Sequence, residues 1–226
     1  MAAQEPGIAG RLETVSGRIL DAAREAGREA GAITTVVVTK FHPAALVCEL
    51  YGLGVRDFGE SRHQEAQPKI AELADLHATW HFVGQLQSKK ARQVREYSQV
   101  LHSLDRESLV DALAGVEPRR VFIQVNLTDD PQRGGAAPTA VDALADRVAS
   151  TAGLELLGLM AVAPLGSEPR EAFARVRGLS ERLRERHPTA SAMSMGMSGD
   201  FREAILEGAT HLRIGTAITG NRPEHG

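Results

Sequence analysis

Lys40 closes an uncharged, β-branched run over residues 33–39, and an amine at that place has two uses. It snorkels to solvent from a strand end, or it is kept neutral by desolvation and a neighbouring cation and attacks an aldehyde. Left buried and unpaired, an ammonium would be costly. A second group of residues lies far along the chain, in the segments SMGMSGD (194–200) and RIGTA (213–217). Ser198 and Gly199 stand just before a helical pattern, where a hydroxyl and free backbone N–H groups stabilise a phosphate. Taken singly, Ser198 is an ordinary helix N-cap. Gly215 and Thr216 repeat the arrangement after the next strand pattern, and two such segments in succession point to phosphate. A lysine facing a phosphate cradle suits an aldehyde that carries a phosphate, and pyridoxal phosphate is such a ligand.

These groups meet only if the elements bring strand ends together. A helical stripe of Ile8, Leu12, Val15 and Ile19 runs within residues 8–30. The uncharged run 33–39 reads as a strand buried on both faces. Pro43 then opens a helix carrying Leu46, Leu50 and Leu53 that ends near Gly54. The cycle repeats, with strands expected at 55–59, 80–84, 100–104, 121–126, 155–161, 190–195 and 211–214. Helices are expected at 60–76, 88–97, up to 114, and over 138–152, 169–186 and 200–207. Eight strand–helix units behind one extra N-terminal helix predict an α/β fold, a TIM-type (β/α)8 barrel. An open doubly wound sheet would show a Gly-rich fingerprint after its first strand, where this chain has TKFHP (39–43). The expected organisation is one domain over 1–226, with residues 1–30 as a helix packed on the barrel. Barrel chemistry gathers at the C-terminal strand ends. Those ends carry Lys40, Glu60, Gly84, Gln85, Asp105, Asn126, Met160, Ala161 and the two segments above. The loop 127–137 reads as mobile.

Composition narrows the partners. The 226 residues are 42% hydrophobic and 24% charged, the balance of a globular protein. A net charge of −3 gives no reason to expect nucleic acid or an anionic membrane as partner. Arg11, Glu13, Arg18 and Asp21 break any signal-peptide core. No apolar run approaches the roughly 20 residues that span a bilayer. The single cysteine, Cys48, excludes an internal disulfide and fits a reducing compartment. A cytoplasmic protein is expected.

Eight short motifs, in order, resemble the pyridoxal phosphate homeostasis proteins, which are similar to the N-terminal barrel of bacterial alanine racemase. They are VTK (38–40), FGE (58–60), WHFVGQLQ (80–87), HSLD (102–105), QVN (124–126), GLMA (158–161), SMGMS (194–198) and RIGTAI (213–218). The resemblance implies that Lys40 holds pyridoxal 5′-phosphate, a form of vitamin B6, as a Schiff base. It implies that Ser198, Gly215 and Thr216 bind the phosphate, with Ser194 as a further candidate, and that Arg213 faces the pyridine nitrogen. It implies a non-catalytic monomer that buffers the cofactor or delivers it to apo-enzymes. Arginine beside the ring nitrogen keeps that nitrogen unprotonated, the weaker electron sink. The alternative is a weak amino-acid racemase. A racemase needs a second base, which alanine racemase takes from a tyrosine of a further domain. This chain is expected to lack that domain, and its tyrosines, Tyr51 and Tyr97, fall on helix patterns. A Schiff-base aldolase acting on a sugar phosphate is the third reading. The family pattern has Asn where Ser61 stands, Asn at Lys89 and Phe at Thr219.

Four other signals carry less. His77 and His81 are expected to fall on a loop and a strand, a poor zinc pair. Cys48, beside Val47 in a helix pattern, is expected to be a buried thiol. Lys89, Lys90, Arg92 and Arg95 read as the solvated face of a helix, not as a nucleic-acid patch. Glu60 and Asp105 have no spacing that makes them an acid/base pair.

Overall fold

The computed structural model describes residues 6–222, so residues 1–5 and 223–226 of the expected domain lie outside the described residues. Eight parallel strands close in chain order into a barrel. They are β1 (Thr34–Val38), β2 (Asp57–Glu60), β3 (Thr79–Phe82), β4 (Val100–Leu104), β5 (Arg119–Gln124), β6 (Leu154–Met160), β7 (Ala192–Ser194) and β8 (His211–Ile214). Closure is made by β8 on β1, with Thr34 opposite His211 and Val37 opposite Ile214. The helices are α1 (Ile8–Glu25), α2 (Ala44–Gly52), α3 (His63–Glu72), α4 (Ala91–Tyr97), α5 (Glu107–Leu113), α6 (Val141–Ala149), α7 (Pro169–Arg186), α8 (Phe201–Leu206) and α9 (Thr216–Thr219).

Strand alternation divides the interior into two layers. The outward side chains of the sheet, among them Val37, Phe58, Trp80, Ile123 and Leu212, pack with Val47, Leu50, Val94, Phe173 and Ile205 of the surrounding helices. The inner layer is smaller and different in kind. Val100, Phe122 and Met160 form a separate cluster inside the barrel. Beside them stand three histidines: the ring of His102 stacks on Phe122 at 4.7 Å, His211 meets the same ring edge-on at 5.1 Å, and His81 lies 5.2 Å from the His102 ring. Barrel interiors are usually filled by branched aliphatic side chains, so this lumen is unusually polar.

Helix α1 buries Ile8, Val15 and Ile19 of the expected stripe, with Ala22 and Ala23. It packs on α8 and α9, the helices that follow β7 and β8. Arg11 Nε donates to Ile218 O at 2.8 Å, Arg18 lies 4.8 Å over the Phe201 ring, and Arg202 pairs with Glu25 at 2.6 Å.

Several expectations are corrected. The first helix stops at Glu25, because Gly27 turns the chain with φ of +65°. The expected helix 60–76 begins at His63, which leaves Glu60 in β2 and Ser61 in a loop. Cys48 is exposed: Val47 and Leu50 take the inner face of α2 and turn position 48 outward. Arg95 is buried, and its guanidinium donates to Glu117 O, so the basic stretch is not one solvated face. His81 belongs to the lumen cluster and not to a pair with His77. Among the described residues no helix is long and apolar enough to cross a membrane.

Candidate functional site

The C-terminal strand ends open onto a cavity of about 480 Å³, within the usual range for small-molecule sites. Its walls include Lys40 after β1, Ser61 after β2, Gln85 after β3, Gln124 on β5, Met160 on β6, and Ser198, Gly199, Arg213, Gly215 and Thr216 from the last two units. Five of the six residues expected at the site therefore share one cavity.

Lys40 is positioned by its neighbours in the chain. Thr39 is fully buried and its hydroxyl donates to Glu60 Oε1 at 2.8 Å. Lys69, from α3, donates to the same carboxylate oxygen at 2.7 Å and to Thr39 O at 2.9 Å. Glu60 and Lys69 are both buried, so this ion pair is strongly tied to its geometry. On the other side, Phe41 adopts φ of +68°, a left-handed conformation that is strained for a bulky residue. Its N–H donates to Glu65 Oε2 at 3.3 Å. Lys40 itself is exposed, which corrects the expectation of an amine desolvated by the strand end. What holds it is a fixed backbone on a buried support.

The other wall is built by α8 and α9. Helix α8 takes Asp200 as its N-cap residue, and the Asp200 carboxylate accepts from Met197 N–H at 2.6 Å. Ser198 is therefore not the cap. Its hydroxyl accepts from Ala217 N–H at 3.3 Å and ties the two loops together. Gly215 is the N-cap residue of α9. Two helix starts, with first-turn N–H groups lacking intrahelical acceptors, thus meet at one end of the cavity, and such ends attract anions. Gly84 keeps the opposite wall close: a Cβ there would stand 2.0 Å from Ser61 O.

Arg213 is buried on β8. Its Nη1 donates to Ser194 Oγ at 2.7 Å and its Nη2 to Ala161 O at 2.9 Å. Burial lowers its pKa to about 10, with Asp200 acting the other way, so it remains a cation at neutral pH. Ser194 is the exception among the expected residues. It is fully buried, does not line the cavity, and spends its hydroxyl on Arg213 and on His102 Nδ1 at 2.8 Å.

Some lining residues had no sequence signal. Arg133 enters from the loop 127–137, which is anchored by Asn126 N–H to Ala136 O and by Gly135 N–H to Asp105 Oδ2. Val162 joins the walls from just beyond β6, while Gln124, already marked by the QVN motif, lines them from the end of β5. Asp105 and Glu60 serve as supports. Asn126 is used within its own loop, accepting from Thr128 and donating to Asp130 O. Of the departures from the family pattern, Ser61 lines the cavity, Lys89 is exposed and Thr219 is buried on α9.

Residues 18–223 match the family model of the alanine racemase N-terminal domain. A pyridoxal phosphate homeostasis protein of Pseudomonas aeruginosa is 42% identical over 220 residues, covering 95% of this chain and 96% of that one. The PipY protein of Synechococcus elongatus, solved with PLP bound, superposes with a TM-score of 0.83 at 34% identity, covering 95% of this chain and 100% of PipY. Alanine racemase of Corynebacterium glutamicum shares the fold, with a TM-score of 0.71 at 15% identity, and this chain spans 62% of it. The order of the strand-end motifs, the closed barrel and these full-length likenesses agree: the chain belongs to the pyridoxal phosphate homeostasis protein family, built on the alanine racemase N-terminal barrel.

Proposed function

We propose that this protein binds pyridoxal 5′-phosphate at the barrel mouth and acts in cofactor homeostasis, holding the cofactor as a Schiff base on Lys40. The observation that carries the reading is the composition of one cavity. An anchored lysine, two helix starts and a buried arginine line it together. Lys40 would hold the aldehyde carbon, and Ser198, Gly199, Gly215 and Thr216 the phosphate. Arg213 would face the ring nitrogen, with Ser194 acting behind it. When bound, the cofactor supplies an electrophilic carbon and an electron-withdrawing ring. Arg213, a donor that stays charged, would hold the ring nitrogen without a proton and so weaken that electron sink. The titratable groups among the lining residues are Lys40, Arg133 and Arg213, a set that favours holding a ligand over moving protons at two faces of a substrate. The same reading takes the whole chain, 1–226, as one domain. It makes the protein a cytoplasmic monomer that passes its cofactor to apo-enzymes.

The test is uptake of pyridoxal phosphate followed by borohydride reduction and peptide mapping. A single reduced adduct on Lys40, absent in Lys40→Ala, is expected. Adducts scattered over surface lysines, or no uptake, would overturn the reading. Turnover of free amino acids by the loaded protein would replace it with the racemase alternative.

A further inference from the structure

A line of hydrogen bonds crosses the barrel lumen from its N-terminal face to the cavity. Asp57 opens β2, and its carboxylate is 31% exposed at that far end. Its Oδ1 lies 2.9 Å from His81 Nε2, and His81 Nδ1 lies 2.9 Å from His102 Nε2. His102 Nδ1 lies 2.8 Å from Ser194 Oγ, which accepts from Arg213 Nη1 at 2.7 Å. His81, His102 and Ser194 are all buried.

The chemistry of the two ends gives the chain one direction. Arginine has only donors and an ionised carboxylate only acceptors. Ser194 therefore accepts from Arg213 and has its own proton free for His102 Nδ1. That leaves His102 protonated on Nε2, donating to His81 Nδ1, and His81 protonated on Nε2, donating to Asp57. The opposite tautomers would set a bare ring nitrogen of His81 against the carboxylate. Burial lowers the pKa of both histidines, so each carries one proton at neutral pH and the assignment is unique.

We propose that His81, His102 and Ser194, anchored on Asp57, are positioning residues that fix the guanidinium plane of Arg213, and with it the hydrogen bonding offered to the ring nitrogen of a cofactor in the cavity. The proposal rests on the cofactor reading above. A guanidinium held by one carbonyl can pivot about that contact. With Nη1 on Ser194 and Nη2 on Ala161 O, both terminal nitrogens are pinned and the plane is set. The residues that decide how the cofactor is held thus extend through the lumen to the opposite face of the barrel.

Two measurements separate this proposal from the cofactor reading. In the cofactor-free protein, nitrogen NMR should show both His81 and His102 as Nε2–H tautomers and slow rotation of the Arg213 guanidinium. Ser194→Ala and His102→Phe should speed that rotation, and Ser194→Thr should restore it. In the loaded protein, Ser194→Ala and His102→Phe should still give a reduced adduct on Lys40. They should weaken pyridoxal phosphate binding roughly tenfold, the effect of one lost bond to a charged group, and shift the visible absorption band. Unchanged rotation, or variants that match the wild type in affinity and spectrum, would overturn the proposal. If the wild type takes up no cofactor, the cofactor reading falls, and the rotation and tautomers alone decide whether the chain positions Arg213. Should His102→Phe fail to fold, Asp57→Asn supplies the second variant: an amide can turn its NH2 toward His81 and reverse the tautomers.

Discussion

Thr39, Lys40 and Phe41 show how a single reactive side chain is held without burying it. The backbone on one side is gripped by Lys69 and Glu60, and on the other it is forced left-handed at Phe41. Removing one member of a buried ion pair leaves the other uncompensated, which typically costs about 3–5 kcal/mol. Lys69→Met should therefore destabilise the protein by an amount in that range, measured by urea unfolding. The double variant Lys69→Met/Glu60→Gln should recover part of the loss, because a neutral amide at position 60 still accepts from Thr39. An additive double variant would mean that the two side chains do not act as a pair. Lys40→Ala, by contrast, removes an exposed side chain and should leave stability within about 0.5 kcal/mol of the wild type.

At the scale of elements, α1 bears on the site although none of its residues lines the cavity. It packs on α8 and α9, whose starts form the anion-attracting wall, and Arg11 caps the carbonyl end of the four-residue α9 through Ile218 O. So short a helix has little stability of its own. Arg11→Ala should weaken phosphate-ester binding by roughly three- to tenfold while lowering Tm by only a few degrees, a split that calorimetric titration and thermal melts would read. Equal loss in a variant at the solvent-facing Glu13 would argue against a specific role for Arg11. The sequence made these elements legible because short strand runs, the first of them uncharged, alternate with helical stripes, so strand order and the ends at Lys40 and Arg213 followed. What it hid were side chains whose partners lie far along the chain. Ser194 looked like a phosphate ligand until the register of β7 beside β8 turned it toward Arg213 and His102. Cys48 was misjudged because a nine-residue helix gives few turns from which to read its inner face.

For the whole molecule, the consequence of a histidine-lined lumen is sensitivity to acid. Burial, the largest cause in each case, lowers the pKa of His81, His102 and His211 below the usual 6.5, to about 4 for His211. Asp57 partly opposes the shift at His81, while the neighbouring histidines, Arg120 and Arg213 reinforce it within the cluster. Below pH 6.5 the unfolded chain binds protons that the folded lumen refuses, so stability is greatest above that pH and falls as acid is added. Each histidine contributes a slope of about 1.4 kcal/mol per pH unit between its unfolded and folded pKa. Asp200, whose carboxyl is pushed up by burial, works in the other direction. Urea unfolding between pH 7.5 and 5 should show the midpoint falling steeply below 6.5. His211→Asn should remove one proton's share of the slope and leave the remainder. A midpoint flat across this range would mean that the lumen histidines accept protons in the folded state. The hydrogen-bonded line from Asp57 to Arg213 would then have no fixed direction.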